Sequence, residues 1–302
     1  MRIDNAQLAA FAAVLGEGSF ELAARKMSVT PSAVSQRIKL LEDRLGQVLI
    51  QRSTPCRATA AGRRLLRHAE QVALLESEVL SELGVVEGSG QTNVRIPIVV
   101  NADSLDSWFA EVFDALPGVT SITLDIRSED QDHSVALLRE GTVMAGVSAS
   151  AEAIQGCRVE ALGAMRYLAV ASPAYVDRYF AAGVTADTLN AAPVLMFNKK
   201  DALQRLFVAR LTGTVLQAPT HCAPSTRSFL EAARRGAAWG MMPEQIVAAA
   251  LRNGELLEMV PDRWLDIPLY WHCWRIGSSA LDVLSTLVCQ AAGRSLRVPE
   301  NA

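Results

Sequence analysis

Side chains of the types that can hydrogen-bond to nucleic-acid bases and phosphates are concentrated between residues 30 and 39. This stretch offers hydroxyl, amide and basic groups at close spacing, namely Thr30, Ser32, Ser35, Gln36, Arg37 and Lys39. The major groove of B-DNA admits one α-helix, and the outward side chains of that helix meet the edges of the bases. If these residues form a helix, we expect the flank led by Ser32 and Gln36 to enter a DNA duplex.

The surrounding residues predict such a helix and two helices before it. Thr30 is a good N-cap, Pro31 suits the first helical position, and Gly46 suits the C-terminal end. Apolar residues recur between them at helical spacing: Val34, Ile38, Leu41 and Leu45. A helix over about residues 20–27 precedes this one, after a first helix over about residues 5–15. The first helix is expected to bury Leu8, Phe11, Ala12 and Leu15.

Charge is distributed unevenly along the chain. Residues 1–64 carry ten Lys and Arg against five Asp and Glu, a net charge of +5. The remainder carries 19 basic against 27 acidic side chains, a net charge of −8 that the overall value of −3 conceals. A basic N-terminal module on an acidic remainder is typical of a head that binds nucleic-acid phosphates. An ordinary three-helix domain with a solvated polar face is the alternative.

The N-terminal residues resemble a known DNA-binding module, the winged helix-turn-helix of LysR-type bacterial transcriptional regulators. The shared residues are Gly18-Ser19-Phe20, Ala23-Ala24, Thr30-Pro31-Ser32-Ala33-Val34-Ser35-Gln36, Ile38, Leu41-Glu42, Leu45-Gly46, Leu49 and Arg52. Ile50 departs from the phenylalanine that is usual in the family. The resemblance implies a wing over residues 51–58, in which Arg52 and Arg57 contact phosphates or the minor groove. It also implies that Thr59 caps the next helix.

Residues 60–83 predict one long helix with an apolar seam. The seam consists of Leu65, Ala69, Val72, Leu75, Val79 and Leu83. A single helix of this length is only marginally stable in water, so the seam must pack against another element. Its own domain is one possible partner. A second copy is favoured, because helix-turn-helix proteins generally read two half-sites as two-fold pairs.

Alternating strands and helices are expected after a Gly-rich, polar hinge at residues 84–92. Apolar strand candidates occur at residues 94–100, 121–126, 143–147, 167–171, 194–197 and 269–274. This alternation predicts a largely parallel sheet with helices on both faces, arranged as two α/β lobes around a cleft. The order and spacing resemble the periplasmic-binding-protein-like effector domain of LysR regulators.

The predicted fold class is therefore α/β overall, with three parts. A winged helix-turn-helix takes residues 1–59, a linker helix and hinge take residues 60–90, and a two-lobed effector domain takes residues 91–302. Within the effector domain, the first lobe would consist of about residues 91–167 and 269–302. The second lobe would consist of about residues 168–268.

Polar residues follow the predicted strands at the places where open α/β lobes bind ligands, beside helix N-termini. They are Asn101, Asp103, Ser104, Glu129, Asp130, Asn198, Asp201 and Thr226. Helix N-termini with hydroxyl side chains favour a carboxylate, whereas the acidic side chains favour a cation. An amino acid has both groups, and the excess of acid suggests a basic side chain. Acidic loops that are merely solvated are the alternative.

Matches spread over the chain resemble one branch of the LysR family, the lysine and arginine export regulators LysG and ArgP. They include Asn101-Ala102-Asp103-Ser104, Trp108-Phe109, Glu129-Asp130, His133, Gly236, Trp239-Gly240, Pro243-Glu244, Pro268-Leu269-Tyr270-Trp271 and Trp274. The resemblance implies a regulator that senses L-lysine, or arginine or histidine, and activates a gene for an amino-acid exporter. It also implies a homodimer or homotetramer that acts with RNA polymerase on double-stranded promoter DNA containing an imperfect two-fold repeat.

A site hypothesis follows from this resemblance and from the chemistry of the residues. Ser104 and Thr226, with nearby backbone amides, would hold the α-carboxylate. Asp103 or Asp130 would take the α-ammonium, and Glu129 the side-chain ammonium. Asn101, Asn198 and Asp201 are further candidates.

An enzyme is the rival class of function. The four histidines are far apart in sequence, and neither HExxH nor GxSxG occurs. His221-Cys222 and His272-Cys273 invite a zinc hypothesis, but adjacent side chains on a strand face opposite ways, so each pair could supply only one ligand to a shared site. No catalytic residue, metal or cofactor is predicted besides the amino-acid coeffector.

Composition gives the remaining expectations. No apolar run is long enough to span a bilayer, and the N-terminus has no signal-peptide pattern. Five scattered cysteines without a CxxC motif indicate a reducing cytoplasm. The alternative function is a nucleoid-binding or replication-control protein, which would use the same head without a ligand switch.

Overall fold

The computed structural model of the chain describes residues 3–84, 94–119, 122–128 and 131–298. Its N-terminal part, the head, contains α1 (Asn5–Glu17), α2 (Phe20–Lys26), α3 (Pro31–Leu45), β1 (Ile50–Gln51) and β2 (Arg57–Ala58). Side-chain oxygens of Asp4, Ser19 and Thr30 cap the three helices. Gly46 ends α3 in the left-handed conformation. These elements confirm the predicted winged helix-turn-helix.

The three helices of the head share one apolar core. Val34, Ile38 and Leu41 are buried in it, as the periodicity of α3 predicted. The prediction for α1 was partly wrong, because Val14 is fully buried whereas Ala12 and Leu15 are only partly covered. The reason is that α2, α3 and the following long helix all pack against α1, so its buried face differs from the stripe that periodicity selects.

β1 and β2 pair as an antiparallel hairpin. A long helix, α4 (Ala60–Glu82), follows this hairpin and is capped by the Thr59 side chain, as predicted. Its predicted apolar seam is divided between two cores. Leu65 and Ala69 belong to the core of the head, whereas Leu74 belongs to the core of the next domain. Three apolar residues are exposed here: Leu75 and Val79 in the C-terminal half of α4, and Leu83 at its C-cap.

The described residues from 94 to 298 form an α/β domain with a seven-stranded main sheet. Its strands are β3 (Val94–Val100), β4 (Ile122–Ser128), β5 (Ala145–Ser148), β6 (Cys157–Ala171), β9 (Gly240–Pro243), β10 (Leu257–Glu258) and β11 (Trp264–Trp274). A separate parallel pair consists of β7 (Val194–Met196) and β8 (Thr220–Cys222). The helices are α5 (Ala102–Leu105), α6 (Ala110–Ala115), α7 (Gln131–Glu140), α8 (Pro173–Phe180), α9 (Ala186–Ala191), α10 (Leu203–Thr212), α11 (Thr226–Arg234), α12 (Glu244–Arg252) and α13 (Ser279–Ser295).

The main sheet is mixed rather than largely parallel. β3 pairs in parallel with β4 and β5, as the alternation of strands and helices predicted. In contrast, β6 and β11 run antiparallel to each other, and the whole of β11 pairs with residues 157–168 of β6. The sequence predicted only their apolar ends, at residues 167–171 and 269–274. Charged residues such as Arg158, Glu160 and Arg166 interrupt the apolar pattern of β6 before that end.

β6 and β11 also connect the two lobes of the domain. One end of the pair joins β5, and the other end joins β9 and β10. The register shifts between Leu269 and Tyr270, opposite Gly163, whose φ of 127° is accessible mainly to glycine. The chain therefore crosses between the lobes on two continuous strands. Across the described residues, none of the helices combines the length and apolar composition that crossing a membrane requires.

Candidate functional site

The outer face of α3 is polar and accessible. Ser32, Gln36 and Lys39 are exposed, while Ser35 and Arg37 lie half-buried at its two edges. Val34 and Ile38 on the opposite face anchor the helix in the core. The helix therefore presents hydroxyl, amide and basic groups on one side, which is the arrangement that a major-groove helix needs.

Thr30 and the hairpin flank this face. The Thr30 hydroxyl accepts a hydrogen bond from the Ala33 amide at 3.2 Å, so the residue caps α3 as well as lying at the surface. On the hairpin, Arg52 and Arg57 are both exposed. The Arg52 guanidinium also lies 5.0 Å from the centre of the Phe20 ring, and this contact holds it beside the start of α2.

A cavity of about 240 Å³ lies in the effector domain, beyond the ends of β3 and β7. Its wall includes five of the residues that the sequence predicted: Asn101, Asp103, Asn198, Asp201 and Thr226. They come from three separate segments of the chain, at residues 101–103, 198–201 and 226, and the fold brings them together. The N-terminal ends of α10, α11 and α12 also reach this wall, through Ala202, Thr226 and Pro243. Such helix ends favour negatively charged ligand groups.

Asp103 is the carboxylate with the most unusual environment in the cavity. Burial raises its pKa from 3.8 to about 6, and Asp201 adds to this rise, while a hydrogen bond from Tyr167 opposes it. The Tyr167 hydroxyl donates that bond at 2.8 Å. Burial also raises the pKa of Tyr167, so it remains a donor. Asp103 can therefore accept a further hydrogen bond from a cation at neutral pH.

Asp201 is tied into the wall by three hydrogen bonds. Its carboxylate accepts from the amides of Phe197 at 2.8 Å and Leu203 at 3.0 Å, and from the Gln204 side chain at 3.1 Å. Asn198 accepts from the amide of Asp201 and so closes the same loop. These bonds fix the loop between β7 and α10, and they occupy much of the acceptor capacity of Asp201.

Two polar atoms in the wall have no hydrogen-bond partner within the described part of the protein. They are Oδ1 of Asn101 and Oγ1 of Thr226, and both residues are buried. Unpaired buried polar atoms are costly, and a polar ligand in the cavity would satisfy them. Ser104 differs, because it is completely buried and does not line the cavity. Its position in the second half of the short α5 places it behind Asp103 in the core.

The structure adds residues that the sequence did not indicate. An apolar wall is made by Phe197, Leu206, Phe229, Met241 and Met242, and Lys200 contributes a cation at the same cavity. Tyr167 holds Asp103 from the long strand β6. No sequence pattern indicates these roles, because apolar residues and a strand tyrosine look the same in a core and in a binding site.

Two predicted site residues, Glu129 and Asp130, lie outside the described residues. Among the described residues, no group of three His, Cys, Asp or Glu side chains is arranged to hold a metal ion. His272 is buried, and its Nε2 lies 2.8 Å from the backbone oxygen of Ser150.

Comparison with known proteins gives one consistent result. The family described as bacterial regulatory helix-turn-helix proteins, lysR family, matches residues 6–63. The family described as the LysR substrate-binding domain matches residues 90–288. The transcriptional regulator LysG of Mycobacterium tuberculosis is 48% identical over 291 residues, which cover 96% of this chain and 94% of that protein. The lysine export regulatory protein LysG of Corynebacterium glutamicum is 40% identical over 295 residues, with coverages of 96% and 98%.

Two solved full-length structures of the C. glutamicum protein match this chain to different extents. The structure with bound effector Arg has a TM-score of 0.78 at 38% identity, and covers 97% of this chain and 99% of that chain. The other has a TM-score of 0.62 at 37% identity, with coverages of 98% and 100%. The similarity therefore extends over the head, α4 and the effector domain together.

Proposed function

Since this chain belongs to the LysR family of bacterial transcriptional regulators, we propose that its cavity binds a basic amino acid and that binding changes transcription from a DNA site. The protein is a DNA-binding regulator rather than an enzyme. L-lysine is the proposed coeffector, with arginine and histidine as related candidates. A relative with bound arginine supports an amino-acid coeffector of this class.

The cavity wall carries this proposal. Asp103 supplies a carboxylate for an ammonium group. Thr226 supplies a hydroxyl for a carboxylate group, and this hydroxyl has no partner among the described residues. The apolar side chains between them suit the methylene groups of a long aliphatic side chain. Lys200 lines the same cavity, and we propose that it contacts the α-carboxylate. We retain Glu129 as the proposed partner of the side-chain ammonium and Asp130 as an alternative partner of the α-ammonium.

The head reads DNA through the flank of Ser32 and Gln36, with Arg37 and Lys39 beside it and Arg52 and Arg57 on the hairpin. The proposed target is a promoter with an imperfect two-fold repeat. The proposed regulated gene encodes an amino-acid exporter, in line with the lysine export regulator among the relatives. Activation would involve RNA polymerase in the cytoplasm.

A homo-oligomer fits the exposed apolar residues on α4. Leu75, Val79 and Leu83 lie four residues apart and are exposed by 39%, 53% and 71%. Three apolar side chains at this spacing form a stripe that a second copy of the helix could cover. A dimer or tetramer would place two heads on the two half-sites of a repeat.

Calorimetric titration of the full-length protein tests the ligand proposal. Lysine and arginine should bind, whereas leucine, glutamate and norleucine should bind at least about 10-fold more weakly, because the carboxylate that we assign to the side-chain cation, Glu129, would be left without its partner. Norleucine is the sharpest control, since it keeps the α-ammonium and the aliphatic chain of lysine and lacks only the side-chain ammonium. Equal affinity for lysine and norleucine would rule out the proposed charge recognition. Full lysine affinity in Glu129→Gln would rule out the role of Glu129.

Footprinting on the DNA upstream of the gene tests the regulatory proposal. The protected region should contain a two-fold repeat, and lysine should alter the pattern of protection. Protection without sequence preference, unaffected by lysine, would instead support a general nucleoid-binding protein.

A further inference from the structure

One side of α4 is fastened to the first lobe of the effector domain at two points. Arg67 and Glu78 are 11 residues apart in sequence, or about three helical turns, so both side chains lie on the same face. Leu74 lies between them and is buried in the core of the effector domain. We refer to Arg67, Leu74 and Glu78 as the linker latch.

Arg67 makes the first contact of the latch. Its guanidinium donates to the backbone oxygen of Gln155 at 2.7 Å and lies 5.2 Å from the centre of a Trp274 ring. The approach is close at Gly141 and Gly156, both of which have positive φ. A Cβ atom would lie 2.6 Å from Cβ of Arg67 at Gly141, and 2.5 Å from its Nη2 at Gly156. Only glycine fits at these two positions while Arg67 stays in place.

Glu78 makes the second contact, at the N-terminus of α13. Its Oε1 accepts from the Ser278 hydroxyl at 2.7 Å and from the Ala280 amide at 2.8 Å. α13 extends from Ser279 to Ser295, and a carboxylate at its N-terminus is stabilised by the helix dipole and by otherwise unpaired amides. A side chain of the linker helix therefore helps to cap the last helix of the effector domain.

The partners of Arg67 lie at the ends of the two strands that cross between the lobes. Gln155 precedes β6, and Trp274 is the last residue of β11. Further along β6, Tyr167 donates a hydrogen bond to Asp103 in the cavity. A hydrogen-bonded pair of strands thus runs from the cavity to Arg67 without interruption by a loop.

We propose that the linker latch sets the angle between the head-bearing helix and the effector domain, and that it transmits the state of the cavity to the heads. This rests on the proposed function, since it assigns a regulatory route to the same cavity. The two solved structures of the C. glutamicum relative match this chain to different extents at nearly equal identity. The overall arrangement of that relative therefore differs between the two structures. Opening the latch would release α4 while leaving the cavity wall intact.

Hydrogen exchange of the full-length protein tests whether the latch holds. Glu78→Ala should speed exchange at the start of α13 by about 5-fold or more, and Arg67→Ala should do so around residues 154–158. Two matched changes at exposed residues, Glu82→Ala on α4 and Arg252→Ala on α12, should leave these segments unchanged. If Arg67→Ala does not fold, Arg67→Lys keeps the charge but not the forked donor geometry. Unchanged exchange in the latch variants would overturn the proposal.

Footprinting and calorimetry then test transmission. The latch variants should bind lysine or arginine within about 3-fold of the unaltered protein, but the amino acid should no longer change their DNA footprint. A latch variant that keeps the full change in footprint would refute the proposed route. If the unaltered protein binds neither amino acid, the proposed ligand is wrong, whereas the exchange experiment still decides whether the latch exists.

Discussion

The carboxyl group of Asp103 lies in the cavity wall, where burial raises its pKa to about 6. The folded protein therefore takes up a proton at this residue at a higher pH than the unfolded chain does. The group contributes most to the stability of the ligand-free protein in acid, and this contribution is lost as the pH rises through 6. A bound ammonium group would compensate the charge that forms above that pH.

Lysine binding should consequently weaken in acid. At pH 5 only about one in ten Asp103 side chains is ionised, so the affinity should be about 10-fold lower than at pH 7.5. Isothermal titration between pH 5 and 8 measures this directly. Asp103→Asn should bind weakly and without this pH dependence, and its ligand-free form should melt at a higher temperature at pH 7.5. The matched change Asp114→Asn, at an exposed residue of α6, should retain the normal profile.

Base contacts and phosphate contacts should respond differently to substitution. Gln36 is exposed on α3 and is expected to meet base edges, whereas Arg52 is exposed on the hairpin and is expected to meet the backbone. Gln36→Ala should reduce the preference for the target site over an unrelated duplex. Arg52→Ala should weaken binding to both duplexes alike and lower the salt dependence of that binding. Fluorescence anisotropy at two salt concentrations distinguishes these results, and uniform losses in both variants would mean that α3 is oriented differently.

At the scale of elements, the junction of α4 with the hairpin depends on a close backbone approach. A Cβ atom at Gly62 would lie 2.1 Å from the backbone oxygen of Leu49 and 3.3 Å from Cβ of Ala58. No rotation of a side chain can relieve contact with a backbone atom. The first turn of α4 must therefore carry glycine to pack against the hairpin.

Gly62→Ala should destabilise the head by roughly 1–3 kcal/mol, because the hairpin has to move away from α4. Gly16→Ala is a suitable control, since Gly16 lies in α1 and a Cβ atom added there would meet open space. This variant should gain up to about 1 kcal/mol of helix stability. Urea unfolding followed by circular dichroism, together with DNA affinity, measures both effects. Lysine binding should be retained in both variants. A Gly62→Ala protein as stable as the unaltered one would show that the hairpin accommodates a methyl group.

At the scale of the whole molecule, α4 has two occupied faces and one that is exposed. Its first half packs in the core of the head, and Leu74 packs in the effector domain. The sequence analysis favoured a second copy as the partner of the whole apolar seam. In the structure, the core of the head covers the first half of this seam. What is left for a partner is the stripe of Leu75, Val79 and Leu83.

Val79→Glu should therefore dissociate the proposed dimer, because a carboxylate would be buried against a second apolar helix. Sedimentation velocity should show a smaller species, and affinity for a two-fold site should fall much more than affinity for a half-site. Leu257→Glu, at a 40% exposed residue of β10, is the control for adding an acid at an apolar surface position. An unchanged sedimentation coefficient in Val79→Glu would place the oligomer contact elsewhere.

The sequence by itself determined the head almost completely. Caps, a proline at the first helical position, a glycine stop and one apolar stripe are local features, and they suffice to define α3 and its polar face. The strand ends that carry Asn101 and Asn198 were also predictable, because turns after buried strands are local in sequence. The boundaries at residues 59 and 90 and the individual roles of the site residues stay predictions.

Only the tertiary structure decided which of those residues share a cavity and which do not. Ser104 is next to Asp103 in sequence but is directed into the core, while Met241 reaches the cavity, and Tyr167 reaches Asp103, from distant strands. The long antiparallel pair of β6 and β11 was equally hidden, because half-exposed strands with charged residues lack a clear apolar period. The contacts of Arg67 and Glu78 join residues 88 and 200 positions apart. No local pattern records such contacts, since their energy comes from burial and hydrogen bonds that exist only once the chain has folded.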